Sequence, residues 1–236
     1  MLTPLDHVVM AVLVVLIPPR AWMSFRRLNA ASPEDRRRLR PQLYFFAMLS
    51  QWIISGLVLT AWITNRRPWA WLGVIPVFTY AALGIAIGVA LIVTLMALRS
   101  RGADRETMMA RARARLAHVE AMLPHTVREL RLFSGLSITA GVCEELLFRG
   151  FMIWYLQHWL GLIPAAIVSS VFFGFGHLYQ GLKGVLQTGL VGAFMATVYL
   201  VSGSLVLPML IHALMDLYAG YVGYQLVGDG AESQPA

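Results

Sequence analysis

Long apolar stretches separated by short polar or basic segments dominate the pattern of this chain. An apolar run of about 20 residues lets an α-helix cross the hydrocarbon core of a bilayer. The pattern predicts seven such helices, each within a few residues at its ends: 5–25, 42–64, 74–98, 132–159, 162–179, 182–201 and 204–227. We therefore predict an all-α fold, a polytopic transmembrane helical bundle of about seven spans.

The first apolar stretch is the least regular of the seven, because Pro18 and Pro19 interrupt it. No basic leader precedes its apolar core, which favours a kinked first span over a cleaved signal peptide. A helix lying in the membrane interface is the alternative interpretation.

The composition also indicates a membrane protein. Hydrophobic residues make up 58% of the chain and charged residues 13%, whereas roughly 25% of the residues in soluble domains are charged. Cys143 is the single cysteine, which excludes an intramolecular disulfide and a cysteine-rich zinc site.

The net charge of +7 comes mainly from two basic segments, 26–40 and 99–131, that lie between predicted spans. Two spans separate these segments, so both are expected on one side, which the positive-inside rule makes cytoplasmic. We therefore predict the lipid bilayer, and not nucleic acid, as the partner of the basic residues. Arg66 and Arg67, on the side predicted to be external, count against this orientation without reversing it.

These patterns predict a multi-pass integral membrane protein, in the plasma membrane if the source is prokaryotic. Residues 1–131 would form N-terminal helices with cytoplasmic basic loops, 132–227 a catalytic core and 228–236 a disordered tail. The cationic stretch 103–123 has a helical pattern; it would lie on the anionic leaflet or form a solvated connecting helix.

The predicted fourth span carries Glu144, Glu145 and Arg149. Ionisable residues at bilayer depth are unfavourable by about 2.5 to 3.5 kcal/mol each, so three within six residues point to a function. Glu145 and Arg149 are four residues apart, in the favourable order for an ion pair on one helix face. Glu144 lies about 100° around the helix and is the candidate general base. The alternative is that the three residues only hold helices together.

Two further spans carry polar residues at comparable depth. His177 lies near the predicted cytoplasmic end of the fifth span, one turn after Phe173, where it would be either a site residue or a packing residue. His212 and Asp216 lie four apart on one face of the seventh span. This aspartate could orient the imidazole, join a metal site or hydrogen-bond to a reacting carbonyl group, or the two could simply satisfy each other.

The segments EELLFR (144–149), FGFGH (173–177) and HALMD (212–216) follow one another on successive predicted helices. They resemble the EExxxR, FxxxH and HxxxN/D motifs of the CPBP family, the CAAX proteases and bacteriocin-processing enzymes, also called the Abi family. The resemblance is specific within residues 132–227. It implies an intramembrane endopeptidase that cleaves a membrane-associated protein or peptide.

Residue by residue, the resemblance implies that Glu144, with His177, activates a water molecule for attack on the peptide carbonyl group. Glu145 and Arg149 would support the geometry and charge of the site.

For the other two residues, the resemblance implies that His212 and Asp216 stabilise the oxyanion. An ionised aspartate would repel an oxyanion, so this role requires a protonated or metal-bound carboxyl group. Glu144, His177 and His212 could also form a zinc site with an open position for water. The family has been described both as metalloproteases and as metal-free glutamate proteases, and we favour the metal-free mechanism.

Other residues and other functions fit less well. Cys143 is a poor nucleophile candidate, because no basic residue is evident beside it. A proton-coupled carrier or channel would relay protons through Glu144, His177 and Asp216. Many transporters are built from internal repeats, and the sequence shows none, which counts against this function. A non-catalytic peptide-binding immunity protein is a third reading, and the intact motif residues count against it.

Overall fold

The computed structural model describes residues 1–99 and 105–228 of the chain. Within these ranges the chain forms helices and no strand, so the predicted all-α fold is confirmed. Arg101 of the second basic segment and the tail predicted to be disordered, from residue 229 onward, lie outside the described residues.

The helices follow the apolar stretches. We number them α1 Pro4–Ala30, α2 Pro33–Thr64, α3 Trp69–Leu72, α4 Tyr80–Arg99, α5 Arg105–Leu116, α6 Val127–Glu144, α7 Ile153–Leu160, α8 Leu162–Gly176, α9 Gly181–Ser202 and α10 Val206–Val227. A π-helical turn, Val12–Leu16, lies inside α1, and a longer π segment, Glu145–Met152, joins α6 to α7 without a break. Short 3-10 helices, Ala117–Met122 and Leu178–Gln180, precede α6 and α9.

Four of the described helical stretches are long and apolar enough to cross a membrane: Pro4–Ala30, Pro33–Thr64, Leu178–Ser202 and Val206–Val227. Tyr80–Ile92 and Leu162–Gly176 are shorter apolar stretches. The run from α6 to α7 is long enough but carries Glu144, Glu145 and Arg149 at its centre. A transmembrane bundle is therefore supported, and the count of seven spans stays a prediction.

The basic segment 26–40 is not a loop, as we had expected, but is helical except at Ala31 and Ser32. Ser32 caps the start of α2, since its hydroxyl oxygen accepts a hydrogen bond from the Asp35 amide (3.1 Å). Pro33 at the first helical position and two acidic residues in the first turn complete an N-terminal signal. α2 consequently begins nine residues earlier than the apolar pattern alone predicts.

α2 and α6 run parallel. The residue pairs that join them, such as Arg40 with Glu129 and Gln51 with Glu144, keep a nearly constant separation in sequence. At one end the guanidinium group of Arg40 donates to both carboxylate oxygens of Glu129 (2.9 and 2.8 Å) and to the carbonyl oxygen of Ala121 (2.9 Å). Glu129 also accepts from the amide of Thr126, whose hydroxyl group caps α6 in return. Burial, reinforced by the charge of Arg40, lowers the pKa of His125 beside this pair. We call this part of the bundle the basic end; it holds residues 26–40 and 105–131.

The opposite end of α2 is held by a second buried ion pair. Arg67 donates to both carboxylate oxygens of Asp6 (2.8 and 2.6 Å), and its guanidinium group lies over the rings of Trp62 (5.2 Å) and Trp154 (4.6 Å). One of the two arginines that counted against the predicted orientation is thus paired with an acid and buried. The other, Arg66, is exposed.

Candidate active site

The π segment Glu145–Met152 lies in the centre of the bundle, and all eight of its residues are buried. A π turn widens the backbone and redirects its carbonyl groups, and such segments recur at functional sites. One of these carbonyl groups, that of Phe148, accepts a hydrogen bond from the Ser169 hydroxyl group of α8 (2.7 Å). The segment thus begins at one predicted site residue, Glu145, and contains another, Arg149.

Glu145 and Arg149 form the intrahelical ion pair that their spacing predicts, with 3.1 Å between Arg149 Nη1 and Glu145 Oε1. Both side chains are almost fully buried, at 0% and 1% exposure. Arg149 also donates to the carbonyl oxygen of Gly192 on α9 (3.0 Å) and lies 4.2 Å from the ring centroid of Phe173 on α8. A side chain at Gly192 would crowd this guanidinium group, because its Cβ atom would lie 3.3 Å from Nη2.

His212 on α10 completes the buried cluster. Its Nδ1 atom lies 2.7 Å from Glu145 Oε1, the oxygen atom that also binds Arg149. This contact turns Nε2 toward two more carboxylates, at 3.9 Å from Glu144 Oε2 and 3.6 Å from Asp216 Oδ2. A carboxylate that holds one imidazole nitrogen orients the ring and leaves the other nitrogen for chemistry.

Close packing of α6 against α10 makes these distances feasible. At Gly141, one turn before Glu145, an added Cβ atom would lie 2.7 Å from both the Cβ atom and the backbone nitrogen of Ala213. The residue next to His212 therefore contacts the backbone of α6 directly. Glycine at this position lets the two helices approach, as small residues commonly do between membrane helices.

Glu144 faces the more open side of the cluster. Its side chain is 18% exposed, and that of Asp216 is 42% exposed. The amide group of Gln51 on α2 donates to Glu144 Oε1 (3.0 Å). Glu144 thus combines a polar partner on each side with partial exposure, as a general base that must reach water requires.

His177, the sixth predicted site residue, follows the end of α8 and is partly buried. Its Nδ1 atom lies 2.9 Å from the carbonyl oxygen of Phe173, which leaves Nε2 as the nitrogen available for other contacts. The ring of Phe173 contacts both imidazoles, with centroid distances of 5.0 Å to His177 and 5.9 Å to His212. The structure therefore groups five predicted residues by direct polar contacts and adds the sixth through this aromatic ring.

The binding of zinc by Glu144, His177 and His212 stays a prediction. Among the described residues, no group of three histidine, cysteine, aspartate or glutamate side chains has the geometry to hold a metal ion. One nitrogen of His212 already binds Glu145, and one nitrogen of His177 binds a backbone carbonyl group.

Two features of the site escaped the sequence interpretation. The first is Gln51, which lies outside the segment that carries the motifs; its signal was an amide near the middle of the apolar stretch 42–64. The second is the contact between His212 and Glu145, which no spacing rule predicts because 67 residues separate them.

Comparison with known proteins finds one family match, over part of the chain. Residues 126–218 match the family model described as Type II CAAX prenyl endopeptidase Rce1-like. This segment contains all three motifs, and the match confirms the family recognition from the sequence. No curated protein and no solved structure matches the chain. The family match and the apolar helices together indicate an integral membrane protein.

Proposed function

We propose that this chain, a member of the Rce1-like type II CAAX prenyl endopeptidase family through residues 126–218, is an intramembrane endopeptidase that uses a glutamate-activated water. Its substrate is a membrane-associated protein or peptide of the CAAX type. The observation that carries the proposal is the arrangement of Glu144, Glu145 and Asp216 around Nε2 and Nδ1 of His212.

In the proposed mechanism Glu144 removes a proton from water as the oxygen attacks the peptide carbonyl carbon. Its partial exposure supports this role, because the base must reach both water and substrate. His177, whose Nδ1 atom is held by the Phe173 carbonyl oxygen, helps to hold the water through Nε2. When the tetrahedral intermediate breaks down, Glu144 returns the proton to the leaving amine, so that the C–N bond breaks and the base is regenerated.

The oxyanion of the intermediate is stabilised by His212, with help from Asp216. An imidazolium ring would donate through Nδ1 to Glu145 and through Nε2 to the oxyanion. Fixed donors in a water-poor site stabilise developing charge strongly, since they need no reorganisation. The contacts of Glu145 with Arg149 and His212 support a positioning role for this buried carboxylate.

The first test is hydrolysis by purified protein in proteoliposomes, with a fluorogenic prenylated CAAX peptide as the probe. We expect the wild-type protein to cleave the peptide and the Glu144→Gln variant to be inactive, since an amide keeps the shape of the side chain but is not a base. The melting temperature of the variant should remain near that of the wild type. Wild-type turnover by Glu144→Gln would end the assignment of the base.

The metal requirement needs a separate test, since we propose the metal-free mechanism. Activity should persist after strict chelation and dialysis, and metal analysis should find zinc far below one ion per protein. Loss of activity on chelation, restored by zinc in a protein that holds stoichiometric metal, would replace this mechanism with the zinc-dependent one.

A further inference from the structure

Gln51 connects the N-terminal half of the chain to the catalytic cluster. It lies on α2, far outside residues 126–218, and its Nε2 atom is 3.0 Å from Glu144 Oε1. The direction of this hydrogen bond is fixed by chemistry, because a carboxylate oxygen accepts and only the NH2 group of the amide donates. The bond therefore occupies Oε1 and leaves Oε2, the oxygen that faces His212 Nε2 at 3.9 Å.

The backbone that carries Gln51 is anchored on both sides of it. Toward the basic end, Arg40 binds Glu129, and the Tyr44 hydroxyl group donates to the carbonyl oxygen of Met122. Toward the opposite end, the rings of Trp62 and Trp154 pack edge to face at 4.6 Å. A side chain on a helix held at both ends can fix the position of its partner, as precise active sites require.

A purely structural contact between α2 and α6 does not account for the amide group of Gln51. The neighbouring residue Trp52 already joins α2 to α6, since its indole nitrogen donates to the Thr139 hydroxyl group (3.3 Å). Gln51 instead places its donor on Glu144, the partly exposed carboxylate of α6. Its own Oε1 atom is buried and has no hydrogen-bond partner within the described residues, which is unfavourable for a purely structural amide.

We propose that Gln51 is a positioning residue for the peptidase reaction: by binding Oε1 of Glu144, it assigns Oε2 to proton transfer and holds it toward the reacting water. The inference rests on the proposed function, since it assumes that Glu144 is the base. Gln51 acts through Glu144, and its substitution should affect the chemical step and not the binding of substrate.

The test compares Gln51→Met, which keeps length but removes the donor, with Trp52→Phe, which removes the adjacent contact between the same two helices. Both full-length variants are assayed in proteoliposomes with the prenylated CAAX peptide. We expect Gln51→Met to lower kcat by about ten- to a hundredfold with KM within twofold of wild type, because a small displacement of a catalytic group slows the reaction to this extent. Trp52→Phe should keep kcat within about threefold.

A second measurement separates positioning from substrate binding. In the inactive Glu144→Gln background, adding Gln51→Met should leave the dissociation constant of the peptide unchanged. If Gln51→Met fails to fold, Gln51→Asn serves instead; it withdraws the amide by one methylene group and should also lower kcat. A kcat equal to that of Trp52→Phe, or a loss that appears only in KM or in peptide affinity, would overturn the inference.

The outcome is distinguishable from a failure of the proposed function itself. An inactive wild-type protein, or an active Glu144→Gln variant, would contradict the peptidase mechanism. An active wild type, an inactive Glu144→Gln and a fully active Gln51→Met would contradict the role of Gln51 alone.

Discussion

Arg149 shows how one residue makes a charged cluster tolerable inside a helical bundle. Its guanidinium group donates to Glu145 and to the Gly192 carbonyl group and stacks on Phe173. Three helical elements, the π segment, α8 and α9, therefore meet at one side chain. The planar shape and several donors of arginine suit this arrangement, and a lysine would not reproduce it.

Replacing this residue should destabilise the protein and inactivate it. Arg149→Ala leaves Glu145 buried with His212 as its remaining partner, so we expect a loss near the lower end of the roughly 3 to 5 kcal/mol typical of broken buried pairs. Thermal unfolding in detergent would measure the effect. Arg131→Ala, at an exposed position of α6, is the control and should change stability by about 0.5 kcal/mol or less. Equal melting temperatures for both variants would contradict the role of Arg149.

Substitution of Asp216 distinguishes the metal-free mechanism from the zinc-dependent one. In the metal-free mechanism Asp216→Asn should retain or increase kcat, because an amide donates to an oxyanion without needing a proton. Asp216→Ala should lower kcat, since it removes the group altogether. Turnover of the prenylated CAAX peptide by the two variants is the measurement; loss of activity in Asp216→Asn together with loss of bound metal would favour a carboxylate ligand.

At the scale of helices, the distance between α6 and α10 controls the site. Gly141→Ala would place a Cβ atom 2.7 Å from the backbone nitrogen of Ala213, so one helix must move. We expect destabilisation of about 1 to 3 kcal/mol from overpacking, and a fall in kcat because Glu144 and Glu145 separate from His212.

The matched control for this change is Gly56→Ala on α2, where an added Cβ atom meets nothing within 4 Å. This variant should be as stable as the wild type or slightly more so, because alanine favours a helix by up to about 1 kcal/mol over glycine. Melting temperature and turnover would be measured side by side. A Gly141→Ala protein that behaves like Gly56→Ala would show that the close contact does not position the site.

The helices were more predictable than their ends and their contacts. Apolar runs located the long helices, since burial in lipid demands about 20 apolar residues. The early start of α2 was missed because Ser32, Pro33 and Asp35 act by capping, which hydropathy does not register. The pair of Glu145 with Arg149 followed from spacing, but its contact with His212 depends on tertiary packing and has no local signal.

At the scale of the whole molecule, the two ends of the bundle differ in charge. Exposed arginines accumulate at the basic end, where Arg37, Arg38, Arg113 and Arg115 are open to solvent. At the other end Asp6 compensates Arg67. This difference strengthens the physical basis of the positive-inside argument, and we propose that the basic end faces the cytoplasm.

The orientation can be tested by labelling single cysteines. Cys143 is fully buried, and it would first be removed by the substitution Cys143→Ala, in which the single cysteines are then introduced. A membrane-impermeant maleimide added to intact prokaryotic cells should then label the Arg66→Cys variant and not the Arg113→Cys variant, while both react after permeabilisation. The reverse labelling pattern would invert the proposed topology.

The π segment also limits how this chain can tolerate changes in length. Upstream of it, the backbone sets Glu144 against Gln51 and His212; downstream, it sets Trp154 against Trp62 and Arg67. Deleting one residue between positions 146 and 151 would favour an ordinary α-helix, which turns further per residue than a π-helix and so offsets the lost residue. A deletion inside the regular turns of α6 has no such compensation and would rotate Glu129 by about 100° relative to Glu144. We therefore expect single-residue deletions to be tolerated in the π segment and not in α6.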